Sequence, residues 1–499
     1  MLSILRRSIR PAILTTRAIV TGSRYVSTAQ TKKEGDISSV FVSLSGGEAE
    51  PLPRRFANIK RHLIEGHEDA VQESWQRLLA SLREEIPIIE EMGPGIVPEI
   101  DFKDIDNPPE DFVRDHKKRG VAVIRNVVPE AEALQYKTDL REYIRQNPQT
   151  KAFPPDNPQV FELYWSPSQI RARAHPNLIK TQQFLMSFWH SKDPNALIST
   201  SHPTVYADRV RIRQPGDAKF ALGPHVDGGS VERWEPNGYG LGGVYNKIFE
   251  GNWEEYDPWE SSCRLPVQSD LYNGAGACSM FRMYQGWLSM STTSPKEGTL
   301  LVNPLLSRAT AYFLLRPFFS PRKRPDALSR SSFLESNNWI FDAEPTPTIQ
   351  GCALGHCQEL NSTLHPHLNL NKSMVDVPKV NPGDYVAWQC DGIHAVDKVH
   401  VGKSDSSVLY IPCCPLTELN AEYLVRQREA FINGTPGPDF PGGKGESEHI
   451  GKKTAGDIPE LAGEKGMRAF GLLKWDSRDE GLTNGQKQML ERANEILGF

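Results

Sequence analysis

The sequence predicts an α+β protein in which an antiparallel barrel or jelly roll carries flanking helices and long insertions. Between about residues 203 and 415, short β-rich runs are separated by Gly, Pro, Asn and Asp, the punctuation of such a barrel. On either side, apolar residues recur at helical spacing. The size of the core is set by composition: 499 residues, 38% hydrophobic and 24% charged, with 20 Phe, 14 Tyr and 10 Trp. That excludes a disordered chain. No run of 18 apolar residues occurs and mean hydropathy is -0.47, so no membrane span is expected. A net charge of -5 speaks against a nucleic-acid-binding body. Seven scattered cysteines form no disulfide framework, and a reduced, intracellular protein is expected.

In chain order, residues 1–33 hold seven Arg and Lys and no Asp or Glu, among Ser, Thr and aliphatics. That is the composition of a mitochondrial transit peptide, and Arg17, ten residues before Ser27, suggests cleavage there and a matrix location. Residues 34–118 are a helical segment, with one or two helices over 55–92. A jelly-roll core is expected over 119–416. It opens with a strand at Val121–Ile124 and a helix begun by Pro129 and Glu130, and a further helix follows over 176–191. Its candidate strands are Arg209–Gln214, Met280–Ser291, Gly298–Leu306, Ala309–Phe319, Asp384–Gln389 and Ser407–Cys413. Insertions at 235–277 and 320–375 interrupt them, and the first, rich in Gly, Trp and Tyr, is a lid or substrate wall. Residues 417–499 are a helical and loop extension, with a helix to about Ile432 and another after Gly481.

Two His-x-Asp patterns occur, and their settings separate them. His67-x-Asp69 lies on a helix, where positions i and i+2 diverge, so it is solvated surface. His225-x-Asp227 follows a strand and a turn; in extended chain the two side chains share a face. A third ligand is expected from His394, presented after the turn Pro382-Gly-Asp384 and an alternating strand. Two histidines and one carboxylate on one side of a metal, with positions left open, suit non-haem Fe(II) oxygenases. Cys352, His356 and Cys357, or His365 and His367, suggest zinc more weakly, because no paired knuckle is present.

These residues resemble the iron- and 2-oxoglutarate-dependent dioxygenases, built on a double-stranded β-helix (jelly roll, cupin-like). The resemblance runs from about Gly120 to Pro415 and includes His225-Val-Asp227, Gln285-Gly-Trp-Leu-Ser289, Gly298-Thr-Leu-Leu-Val-Asn-Pro304 and Pro382-Gly-Asp-Tyr-Val-Ala-Trp388. More narrowly, Gly223-Pro-His-Val-Asp-Gly-Gly-Ser-Val-Glu-Arg-Trp234 is similar to a bacterial and fungal family catalogued only as a domain of unknown function. The resemblance implies that His225, Asp227 and His394 hold Fe(II), with 2-oxoglutarate as cosubstrate, dioxygen as oxidant and a small molecule as substrate. The arginine that follows the distal histidine in phytanoyl-CoA hydroxylase-like relatives is absent. Arg213, on the face shared by Arg209 and Arg211, is expected to take the 2-oxoglutarate 5-carboxylate, with Ser407 assisting and Lys403 as the other cationic candidate. The missing arginine keeps two alternatives open: a catalytically silent binding or regulatory barrel, and a cupin-type metal enzyme that does not use 2-oxoglutarate.

Overall fold

In the computed structural model, residues 40–45, 50–219, 221–274, 277–440, 442–478 and 481–499 are described; the expected transit peptide lies outside them. Eight strands position the candidate site: β1 (Val210–Arg213), β2 (His225–Val226), β3 (Tyr284–Ser289), β4 (Leu300–Val302), β5 (Val375–Asp376), β6 (Tyr385–Gln389), β7 (His394–Val396) and β8 (Ser406–Tyr410). They divide between two sheets. The larger, mixed sheet runs Glu99–Asp101, Val121–Arg125, β6, β3, β8, β1, Val160–Phe161, Ala152–Phe153, with its first pair parallel. The smaller, antiparallel sheet runs Gln358–Glu359, β2, β7, β4, β5.

Period-2 alternation divides the large sheet's side chains between two cores. Trp287, Val386, Trp388 and Val408 meet Val226, Leu300, Val302 and Val375 of the small sheet in one cluster. Ala122, Ile124, Leu288, Tyr385, Ala387 and Leu409 join a second cluster with Tyr136 and Leu140 of helix Glu130–Gln146 and Leu178 and Leu185 of helix Pro176–Met186. The N-terminal helices are Arg55–Leu63 and Glu68–Met92. The second buries Val71, Trp75, Leu78, Leu82, Ile86 and Ile89, a stripe at the expected spacing.

One element differs in kind from the expectation. Ala309–Phe319 was expected as a strand, but helix Leu306–Leu315 occupies most of that segment. Its residues from Ala309 to Leu315 are all buried, so no polar face marks the helical period, and an apolar run without a face reads equally well as a buried strand. The strand pair Ile198–Thr204 with Cys414–Thr417 had no counterpart in the sequence reading. The first strand contains Ser199, Ser201, His202 and Pro203 in place of a β-branched run. The C-terminal helices Glu418–Asn433 and Asn484–Leu497 bring Leu424, Met489, Leu490 and Leu497 against Leu416 of this pair. Among the described residues, no helix is long and apolar enough to cross a membrane.

Candidate metal centre

β2 and β7 are antiparallel neighbours, and His394 pairs directly with His225 in the ladder. Directly opposed residues hold their side chains side by side, and the two imidazole centroids are 4.1 Å apart. Asp227, two positions beyond His225, completes the group. His225 Nε2 lies 3.7 Å from Asp227 Oδ1, and His394 Nε2 lies 3.8 Å from Asp227 Oδ2. One ligand atom from each residue lies within 4.8 Å of the others, the one such group among the described residues.

The other ring nitrogens fix the tautomers. His225 Nδ1 faces the Gly223 carbonyl at 2.7 Å and His394 Nδ1 faces the Gly392 carbonyl at 3.1 Å. A carbonyl only accepts, so Nδ1 donates and each Nε2 keeps its lone pair toward the shared centre. Burial, helped by His225, pushes the His394 pKa down to about 3, which keeps that ring neutral at physiological pH. Burial alone would raise Asp227; His225, His394 and Arg282 outweigh it and hold the carboxyl well below its usual range. Two imidazoles and a carboxylate are a donor set for a divalent cation.

Several groups orient Asp227. Cys357 donates its thiol to Oδ1 at 3.3 Å. The amide of Gln285 fits in one orientation: its nitrogen donates to Oδ2 at 2.7 Å while its oxygen accepts from Trp388 Nε1 at 3.3 Å. The buried guanidinium of Arg233 donates to the carbonyls of Asp227 and Gly229. Gly229 itself has φ 93°, and a Cβ there would lie 2.6 Å from the Ser269 carbonyl oxygen, so the turn after the ligands requires glycine. The 235–277 insertion steadies the His394 turn: Tyr245, Tyr256 and Arg264 all donate to Asp391, in the turn between β6 and β7.

The triad opens on a cavity of about 140 Å³, room for a small molecule. Phe41 stands against one side of the metal group, its ring edge-on to His225 at 4.7 Å. It belongs to a strap pinned by Cys357 N donating to the Val40 carbonyl (3.0 Å) and Ser43 N donating to Glu359 (3.1 Å). Arg211, Leu222, Leu300 and Val396 line the cavity, as do Tyr206, Asp208, Arg209, Glu232, Arg282 and Phe440.

The three residues expected to hold 2-oxoglutarate do not line this cavity. Arg213 shares the inward face of β1 with Arg211, as the alternation required, but its guanidinium is committed elsewhere. It pairs with Asp217 at 2.9 Å and donates to the carbonyl of Asp397 at 2.8 Å. Ser407 stands opposite Ile212, whereas Ser406 and Val408 stand opposite Arg213 and Arg211. A one-residue step in a strand reverses the face, so Ser407 points away from the arginines and donates to Asp405. Lys403 is exposed. Arg211 is the inward group the sequence reading passed over. Its Nη2 donates to the Gly298 carbonyl at 2.7 Å, while its buried Nε has no partner. The expected zinc groups do not assemble: Cys357 turns to Asp227, and His365 and His367 are buried in the core. Gln285 carried a faint signal, an amide inside a strand that is otherwise a core run.

The sequence profile of the Gig2-like family matches residues 50–472. The chain is 29% identical over 429 residues to the uncharacterised protein YbiU of Escherichia coli strain K12, which covers 83% of this chain and 94% of the relative. Among solved structures, GIG2 (GlcNAc Inducible Gene 2) from Candida albicans is 32% identical, with a TM-score of 0.80 over 91% of this chain and 96% of that one. The hypothetical protein JW0805 from Escherichia coli is 28% identical, with a TM-score of 0.70 over 85% of this chain and 99% of that one.

Proposed function

Because the chain belongs to the Gig2-like family and gathers two histidines and an aspartate beside a cavity, we propose that it is a non-haem Fe(II)- and 2-oxoglutarate-dependent dioxygenase acting on a small molecule. The observation that carries this reading is the convergence of two lone-pair-bearing Nε2 atoms on one carboxylate, next to space for further ligands. A structural zinc site would instead close with four protein ligands. The strand orders support a double-stranded β-helix. β1, β3, β6 and β8 lie in one sheet and β2, β4, β5 and β7 in the other, as when an eight-stranded jelly roll is wound from two sheets.

His225 and His394 would hold the ion through Nε2, and Asp227 through its carboxylate. Fe(II) bound there with 2-oxoglutarate supplies oxidation of a substrate bond by dioxygen, with succinate and carbon dioxide as coproducts. Arg211 replaces Arg213 as the group that receives the far carboxylate of 2-oxoglutarate, with Ser406 beside it. A carboxylate buried without a partner costs several kcal/mol, and a guanidinium with a free donor offsets that cost. Leu222, Leu300 and Val396 give the cavity an apolar wall. Cys357 and Gln285 keep the Asp227 carboxylate aimed.

Protein reconstituted with Fe(II) in air should release succinate slowly from 2-oxoglutarate even without substrate, and Asp227→Ala should not. Tightly bound metal without succinate would point to a cupin-type enzyme; neither would leave a silent barrel. The acid-free leader supports import into the mitochondrial matrix, so endogenous protein should begin near Ser27 by mass spectrometry; recovery of mainly Met1-starting peptides would refute this.

A further inference from the structure

Arg282, just ahead of β3, is a cation without a hydrogen-bond partner among the described residues. Its side chain is 13% exposed, and its nearest carboxylate is Asp227, with Nη2 to Oδ2 at 3.9 Å, beyond hydrogen-bond distance. Its guanidinium carbon stands 5.9 Å from the Tyr206 ring. The side chain borders both the main cavity and a smaller chamber behind Asp227.

The acids that line the same cavity are engaged. Asp208 accepts from Arg209 Nε at 3.0 Å. Glu232 accepts from the backbone nitrogens of Ser230 and Leu271 at 2.7 and 3.2 Å. Asp270 accepts from the backbone nitrogen of Gly274 at 2.9 Å. Asp227 is held by Cys357 and Gln285, and in the reading above it ligates the metal. A divalent ion at the triad then leaves Arg282 beside a second cation, with its planar fork facing cavity space. A largely buried guanidinium with no acceptor in hydrogen-bond reach is best satisfied by a planar or tetrahedral oxyanion.

Resting on the oxygenase reading, we propose that Arg282 receives a carboxylate or phosphate carried by the molecule oxidised at this site, so that the substrate class is a small organic anion. The cosubstrate has its own receptor in Arg211, which leaves Arg282 for the substrate. Tyr206 and Phe440 add an aromatic wall beside it.

The test uses cobalt-loaded protein, whose visible spectrum reports changes at the metal, with N-oxalylglycine in place of 2-oxoglutarate. Acetate and inorganic phosphate are titrated into wild type, Arg282→Met and Arg282→Lys in the presence of saturating N-oxalylglycine. At least one anion should bind wild type and bind Arg282→Met roughly 10-fold or more weakly, with partial recovery in Arg282→Lys. N-oxalylglycine affinity should stay unchanged, and cobalt affinity should not fall, since Arg282→Met removes a positive charge from beside the ion. If N-oxalylglycine weakens in the variants instead, the receptor serves the cosubstrate and the substrate assignment falls. If only cobalt affinity drops, or neither anion binds wild type, Arg282 is a counter-charge for Asp227 and the proposal is wrong. Failure of N-oxalylglycine to bind wild type would sink the oxygenase reading separately; the anion titration, repeated without it, still decides Arg282.

Discussion

Arg211 and Arg213 sit two positions apart on one face of β1 and have different surroundings. Alternation made the shared face legible in the sequence. How deep each side chain reaches was not legible, because Asp217 returns to Arg213 through a turn that no periodicity describes. Ser407 failed for a similar reason: the cross-strand register, fixed only when β8 lies against β1, turns Ser406 inward instead. The two arginines should therefore separate in experiment. Arg211→Leu should raise the apparent KM for 2-oxoglutarate by roughly 10–1000-fold while leaving stability close to wild type, the loss expected for one charge-assisted pair. Arg213→Leu should instead cost about 3–5 kcal/mol in chemical denaturation, because it leaves Asp217 as an unpaired buried charge. Equal effects of both variants on KM would contradict the assignment of Arg211.

At the scale of elements, β1, β3, β6 and β8 of the large sheet were legible because each is short and bounded by turn residues, whereas β7, only three residues long, was not, and His394 reads in the sequence as a loop residue. Helix Leu306–Leu315 was not legible either, since its burial on every side erased the period that distinguishes helix from strand. The role of the 235–277 insertion was only half legible. Its aromatic content suggested a wall, while its function as a clamp on the His394 turn depends on Tyr245, Tyr256 and Arg264 meeting at Asp391. Removing the two phenol donors with a Tyr245→Phe/Tyr256→Phe double variant leaves the Arg264 pair intact and relaxes the turn. Metal affinity should fall roughly 10-fold, at the low end for groups that orient ligands from behind, with secondary structure unchanged by circular dichroism. An unaltered affinity would mean that the ladder between β2 and β7 is enough to place His394.

Across the whole molecule, the chain on either side of the barrel is packed into it. Helix Glu68–Met92 shares a core with both sheets, and the C-terminal helices rest on the strand pair Ile198–Thr204 with Cys414–Thr417. Their amphipathic patterns announced helices, but not the partners, such as Val226 and Leu300 for helix Glu68–Met92. The Val40–Ser43 strap makes such a reach, carrying Phe41 onto His225. A side chain over one ligand leaves the equilibrium grip of the triad unaltered and slows the traffic through it. Phe41→Ala should lose its ion to an added chelator several-fold faster than wild type and reload faster by a similar factor, so that Kd barely moves. The strap would then set how long a bound metal stays in the triad, and with it how long one molecule remains loaded.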